Sequence, residues 1–398
     1  MILSADWVLP VDAAPIRDGW VELDGNRIAA VGSGAREGAE RHPGCVVLPG
    51  LVNAHTHLEY AGMSGFGDGE PFDAWIADHI RRRVGLEADD YRAQADAGVA
   101  ACLAGGVTTV ADCCYAGTVA AAAEAAGLRA IVYLEAFSRH DPLDQPLEER
   151  LDAVTDSDLV TIGISPHAPY TVDMDDYRRW VGMARERGMP VATHLLESHL
   201  ETDPAAAFRD VLGPDTVAVH AARATSDDVA LFAELDVPVA HCPRSNALLG
   251  CGAAPVYDLL AAGVRVGLGT DSPASALTLD MWDEMRAAIL VARTRERRGD
   301  VLTATTALEL ATLRGAQALG LGDEIGSLTP GKRADVVVVD LGGSEFVPWD
   351  DPVAATVFGG TPERVLLTFV DGQIRYCETG ELADTSAARE VRARMIET

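Results

Sequence analysis

The sequence predicts an α/β protein: a (β/α)8 TIM-type barrel with a small β-sandwich built from both ends of the chain. Three observations carry this. Eight short β-rich runs alternate with helical stretches between residues 50 and 325, the span that such a barrel needs. Strands and turns fill residues 1–49 and return in 326–398, which also holds a C-terminal tail. Six of the ten histidines fall at or just before the ends of the β-rich runs, where barrel enzymes keep their chemistry.

The first segment reads "WVLPVD", "GWVELDGNRIAAVG" and "CVVLPG", with Asp24-Gly25-Asn26 between alternating apolar residues as a hairpin signal. The barrel runs follow in order. They are "VVLPGLVNAH", "GVTTVADC" (106–113), "LRAIVYLEAF" (128–137), "LVTIGISPH" (159–167), "PVATHLLES" (190–198), "TVAVHAA" (216–222), "VPVAHCPRSN" (237–246) and "VRVGLGTDS" (264–272). Stretches such as "TVAAAAEAAG" and "DVALFAELD" between them have helical character. After residue 325, "IGSLTPGKRADVVVVDL" and "ERVLLTFVDGQIRYCETG" return to strands and glycine turns. The expected units are therefore 1–49 and 326–398 in the sandwich and 50–325 in the barrel.

Composition narrows the function. The chain has 398 residues, 48% of them hydrophobic, too many for one small core. No window of about 18 apolar residues occurs, so no membrane span is expected. The start lacks a basic region followed by a long apolar stretch, which argues against a signal peptide. Seven cysteines without a CxxC pair suggest reduced thiols and a cytoplasmic location. A formal charge of −29 repels phosphate backbones and excludes nucleic acid as a partner. A small-molecule substrate remains, and a homo-oligomer is compatible with all of this.

In "LPGLVNAHTHLEY", His55 and His57 stand two residues apart at a strand end, so both imidazoles can reach one ligand. Alone, that is as compatible with a solvated strand end. The other strand-end histidines tip the balance: His167, His194, His220 and His241. Strand ends make up roughly a tenth of the chain, so chance would place about one histidine there. His194 is followed three positions later by Glu197, a ligand beside a proton shuttle. Asp271 in "GLGTDSP" could cap a helix, but beside three histidines it reads as a fourth, anionic ligand. His220 reads as a residue orienting groups near the metal. Histidines 42, 79, 140 and 199 fall outside the set and read mostly as surface residues. Lys332 is the only lysine and lies beyond the barrel, so no carboxylated lysine can bridge two ions. One metal is expected.

With these residues in place the chain resembles the amidohydrolase superfamily, in the branch of nucleoside and nucleobase deaminases and chlorohydrolases. "LPGLVNAHTHLE" looks like the first-strand motif, "HLLES" the fifth-strand motif, "VAVH" the sixth-strand histidine and "LGTDSPAS" the eighth-strand aspartate. The resemblance implies one divalent ion, zinc or in some relatives iron, held by His55, His57, His194 and Asp271. It implies proton transfer by Glu197, with His220 and Asp271 orienting the attacking water. "PFDAWIADHI" (71–80) resembles the stretch that places an aromatic over the base, implicating Trp75. "SPHAPYT" (165–171) resembles the motif whose histidine touches substrate, implicating His167.

The chain resembles both aminofutalosine deaminases and methylthioadenosine/S-adenosylhomocysteine deaminases, and it departs from the latter in two places. They carry an acid two turns after the tryptophan, where this chain reads "IRRRV" (80–84). They end the third strand with arginine, where this chain has Glu135, followed by Arg139. The expected reaction is therefore deamination of a 6-aminopurine nucleoside with a different group at its ribose end. Aminofutalosine, which carries a benzoate there, is the leading candidate. Arg139 or an arginine from 81 to 83 would meet the carboxylate, unless these are surface arginines. Hydrolysis of another heterocycle (triazine, pterin or guanine) is the alternative. A catalytically silent barrel is a remote one, since no ligand is missing.

Overall fold

The computed structural model describes residues 1–66, 68–138, 145–380 and 383–397. Four strands come first: β1 (Ile2–Val8), β2 (Ile16–Asp24), β3 (Arg27–Ser33) and β4 (Glu40–Pro49). The barrel strands are β5 (Leu51–Thr56), β6 (Val107–Cys114), β7 (Arg129–Ala136) and β8 (Val160–Pro166), then β9 (Val191–Leu195), β10 (Thr216–His220), β11 (Val239–His241) and β12 (Val266–Leu268). Three more follow: β13 (Val336–Asp340), β14 (Val365–Val370) and β15 (Gln373–Cys377).

β5 to β12 form one eight-stranded sheet in sequence order, every neighbour parallel. The ring closes through a parallel bridge between Thr56 and Asp271. The chain ends supply the second sheet, in the order β15-β14-β13-β4-β1-β2-β3. Period-two alternation tells its strands which way to face. Val46 and Leu48 of β4, with Val337 and Val339 of β13, join the barrel's outer core. Cys45, Val47, Val336 and Val338 enter the sheet's own core instead.

The first β-rich run spans both sheets. Gly50 joins β4 to β5, and a Cβ there would lie 2.0 Å from Thr108 Oγ1, so only glycine fits. The seventh run is shorter than its sequence suggests: after β11, Pro243 opens the helix Pro243–Leu248. Among the described residues no helix is long and apolar enough to cross a membrane.

A buried charge cluster ties the barrel's base to the second sheet. Arg129, at the start of β7, donates to Asp335 Oδ1 and Oδ2 at 3.3 Å each and to Asp371 Oδ1 at 2.8 Å. Removing the guanidinium strands a buried carboxylate, the costly half of such a pair. Arg129→Ala is expected to destabilise the protein by about 3–5 kcal/mol, read as a lower urea midpoint by circular dichroism. An unchanged midpoint would contradict the role given to this cluster.

Candidate active site

The ends of β5, β9 and β12 converge at one mouth of the barrel. There the Nε2 atoms of His55 and His57 lie 3.3 and 3.4 Å from Asp271 Oδ1. His57 Nε2 is 3.3 Å from His194 Nε2. One donor atom from each of the four residues falls within 4.8 Å of every other. A tetrahedron with vertices about 2.05 Å from its centre has edges of roughly 3.3 Å, so three of the spacings match the zinc-to-nitrogen distance.

Hydrogen-bond direction makes the same case. His57 Nδ1 meets the Cys113 carbonyl at 2.8 Å, and His194 Nδ1 meets the His167 carbonyl at 2.8 Å. A carbonyl can only accept, so both rings carry their proton on Nδ1. Their bare Nε2 lone pairs then face each other, which is unfavourable unless a cation stands between them. Burial pushes His55 down to about 4 and lowers His57 and His194 as well, keeping the imidazoles neutral. Burial works the other way on Asp271, but its contacts with His55 and the neighbouring histidines hold the carboxyl well below the usual range. Three neutral nitrogens and one anionic oxygen suit a divalent ion of the zinc type.

Glu197 follows β9 in a loop where Leu196 takes a left-handed backbone, φ 56°. Glu201 steadies that loop by accepting from the Leu196 and Glu197 N–H groups at 2.6 Å each. Glu197 Oε2 accepts from the Tyr170 hydroxyl at 2.9 Å, and Oε1 lies 3.5 Å from His220 Nε2. Burial pushes its carboxyl up to about 7, where it can both give and take a proton near neutral pH.

These groups open on a cavity of about 670 Å³. Trp75 lines it, its indole N–H donating to the Ala274 carbonyl at 3.1 Å. His167 lines it too, with Nδ1 2.7 Å from Thr171 Oγ1. Glu135 stands on the same wall, its carboxyl pushed up to about 8 by burial against the pull of Arg83. Arg139 lies outside the described residues.

The structure corrects the sequence reading at two histidines and narrows it at the arginines. His241 is buried with both ring nitrogens unpartnered and does not line the cavity. Ala240 and Cys242 point into the barrel's interior cluster, and alternation turns His241 to the other face. His79, expected on the surface, lines the cavity and stacks on Trp75 with ring centroids 5.6 Å apart. Of the three consecutive arginines only Arg83 reaches the cavity, while Arg81 and Arg82 pair with Asp78. Trp75, His79 and Arg83 are spaced i, i+4, i+8 on the helix Phe72–Arg83, a stripe that could have been read from the sequence. Tyr170 was overlooked although it lies inside the "SPHAPYT" motif.

Known proteins resemble this chain along most of its length. The Amidohydrolase family profile matches residues 46–375. A 5-methylthioadenosine/S-adenosylhomocysteine deaminase of Haloarcula marismortui is 34% identical over 367 residues, 87% of this chain and 84% of its own. A 5'-deoxyadenosine deaminase of Methanothermobacter thermautotrophicus is 32% identical over 388 residues, 92% of this chain and 90% of its own. The crystal structure of an adenosine deaminase from Xanthomonas campestris with bound zinc superposes with a TM-score of 0.91. It covers 100% of this chain and 98% of its own, at 30% identity.

The donor set is expected to bind about one divalent ion per chain. Elemental analysis of the purified protein checks this, and His194→Ala should lose the ion while keeping its circular dichroism spectrum. Two tightly held ions per active chain would contradict the single site.

Proposed function

The chain belongs to the amidohydrolase family, and from that premise we propose that it is a hydrolytic deaminase of a 6-aminopurine nucleoside, with aminofutalosine as its substrate. One observation carries the reaction class: the Glu197 carboxyl stands beside the three-histidine, one-aspartate cluster, 3.5 Å from His220 Nε2. His55, His57, His194 and Asp271 would hold a divalent ion, which would supply a Lewis acid able to lower the pKa of water to about 7.

The chain's own groups do the rest. Asp271 and His220 Nε2 orient the water whose oxygen attacks the ring carbon bearing the amine. Glu197 delivers its proton to the adjacent ring nitrogen, so the C=N bond becomes C–N as the new C–O bond forms. Glu197 then takes a proton from the added hydroxyl and passes it to the departing amine. The exocyclic C–N bond breaks as the C=O bond forms, ammonia leaves, and the water's other proton, taken up by His220 Nε2 during the attack, returns to Glu197. Trp75 and His167 bound the space for the base.

The substituent end rests on Arg83. Its guanidinium donates to the Tyr60 hydroxyl at 2.7 Å, its Nε is buried without a partner, and no carboxylate among the described residues pairs with it. Glu135 lines the same cavity, but burial pushes its carboxyl up to about 8, and no ion pair joins it to Arg83. A desolvated cation lining a ligand cavity calls for an anion from the ligand. The benzoate of aminofutalosine supplies one.

Glu197→Gln is expected to keep the metal and the fold while losing at least about 100-fold in turnover; near wild-type ammonia release would remove Glu197 from the mechanism. Arg83→Gln should raise KM for aminofutalosine about 10- to 100-fold, the worth of a charged hydrogen bond, and leave adenosine nearly unaffected. Equal activity of the wild type on adenosine, methylthioadenosine and aminofutalosine would refute the carboxylate preference. Turnover of a triazine or pterin without ammonia from any aminopurine would refute the purine reading itself.

A further inference from the structure

The segment "CPRSN" (242–246) follows β11 and lines no part of the cavity, yet three consecutive side chains in it each grip something essential. Arg244 anchors the segment. Its backbone N–H donates to Glu284 Oε1 at 2.9 Å, and its guanidinium pairs with the same carboxylate, which is wholly buried in the helix Met281–Glu296. Ser245 Oγ donates to Asp271 Oδ2 at 2.6 Å, so the other carboxylate oxygen turns toward His55 and His57. Asn246 Oδ1 meets His220 Nδ1 at 3.0 Å.

The two gripped residues have backbones that resist their positions. His220 and Asp271 both lie in the left-handed region, at φ 75° and φ 59°. Non-glycine residues stay there only when their surroundings hold them, and such strain gathers at functional sites. His220 is the more exposed to misplacement: Ala221 after it is also left-handed, φ 47°. Asn246 is the only side-chain hydrogen-bond partner of His220 among the described residues.

We propose that Asn246 is a positioning residue that fixes His220 as the Nδ1–H tautomer, presenting a bare Nε2 to the attacking water. The proposal rests on the deaminase reading above. An amide oxygen accepts the Nδ1–H, so Nε2 keeps its lone pair. That nitrogen is buried, unpartnered, and 3.5 Å from Glu197 Oε1, on the side where the water must arrive. There it can accept a hydrogen from the water and aim the oxygen's lone pair at the ring carbon. The opposite amide orientation would move the ring proton to Nε2 and turn the same atom into a donor.

The test uses metal-loaded full-length protein. Histidine labelled with 15N, with His220 assigned by difference against His220→Gln, reports which ring nitrogen carries the proton. Wild type is expected to show it on Nδ1. Asn246→Leu keeps the volume but removes the acceptor. It should retain about one ion per chain and a KM within about threefold of wild type, yet lose about 100-fold in kcat. Asn246→Asp restores an acceptor and should recover at least about tenfold of that loss. A proton on Nε2 in wild type, an unimpaired Leu variant, or an Asp variant no better than Leu would each overturn the proposal. Should the Leu variant fail to fold, the wild-type tautomer decides alone. Absence of ammonia release by wild type on every aminopurine would refute the deaminase reading, while the tautomer measurement would still judge Asn246.

Discussion

Closure of the barrel is the constraint on which the site depends. A parallel sheet of eight strands becomes a ring only if its first strand meets the end of its last, and here that seam joins Thr56 to Asp271. The Asp271 N–H donates to the His55 carbonyl at 3.0 Å, and the Asn53 side chain exchanges two hydrogen bonds with Thr270. Gly269 makes the approach possible: a Cβ there would stand 2.8 Å from the His55 backbone. Three of the four candidate ligands therefore lie on the seam. Holding the ring shut and assembling the donor set are one structural event, and only His194 comes from elsewhere.

The electrostatics follow from that burial. Desolvation penalises charge, so the histidines stay neutral and the one anion, Asp271, survives because histidines and hydroxyls surround it. The carbonyls of Cys113 and His167 fix two of the ring tautomers from below. The opposite wall of the cavity has the reverse character. Arg83 is a cation held under aromatic rings, and the carboxyl of Glu135 on the same cavity wall is pushed up to about 8 by the same desolvation. A ligand that spans the cavity meets an electrophilic centre at one end and a lone cation at the other.

The sequence makes the ring and the candidate donor cluster legible because both obey simple periods. Alternating strands with helices fixes the barrel, and HxH at a strand end fixes a pair of ligands. Legibility fails where tertiary context takes over. His220 and Asp271 face the centre through left-handed backbones that no alternation rule predicts, so their roles came from company rather than geometry. His241 obeys alternation and for that reason points away. The three arginines at 81–83 look alike in the sequence and differ only in helix phase. Docking of Trp75 on the Ala274 carbonyl sets that phase and turns Arg83 inward. The boundary in "VVLPGLVNAH" is likewise invisible to hydropathy, because both halves are apolar and each serves a different sheet.

The two ends of the cavity are built with different rigidity, and this bears on how such a site can change substrate. Around the donors every segment is pinned by a buried polar group. Glu59, two residues past His57, accepts from Tyr115 N, Ala116 N and Thr118 N at 2.8, 2.7 and 2.9 Å, and from the Thr118 hydroxyl at 2.7 Å. It thereby clamps the end of β6 to the HxH segment and satisfies the first turn of the helix Thr118–Ala126. The helix Phe72–Arg83 presents its cavity stripe with less polar support from the barrel: one indole hydrogen bond, ring contacts of Phe72 with Tyr170 and of His79 with Tyr60, the Asp73–His199 pair, and Arg83 against Tyr60. Among the described residues no side chain on that stripe hydrogen-bonds to a candidate ligand or to the seam itself. Substrate selectivity is therefore free to vary along the helix while the hydrolytic centre, tied to closure of the fold, cannot.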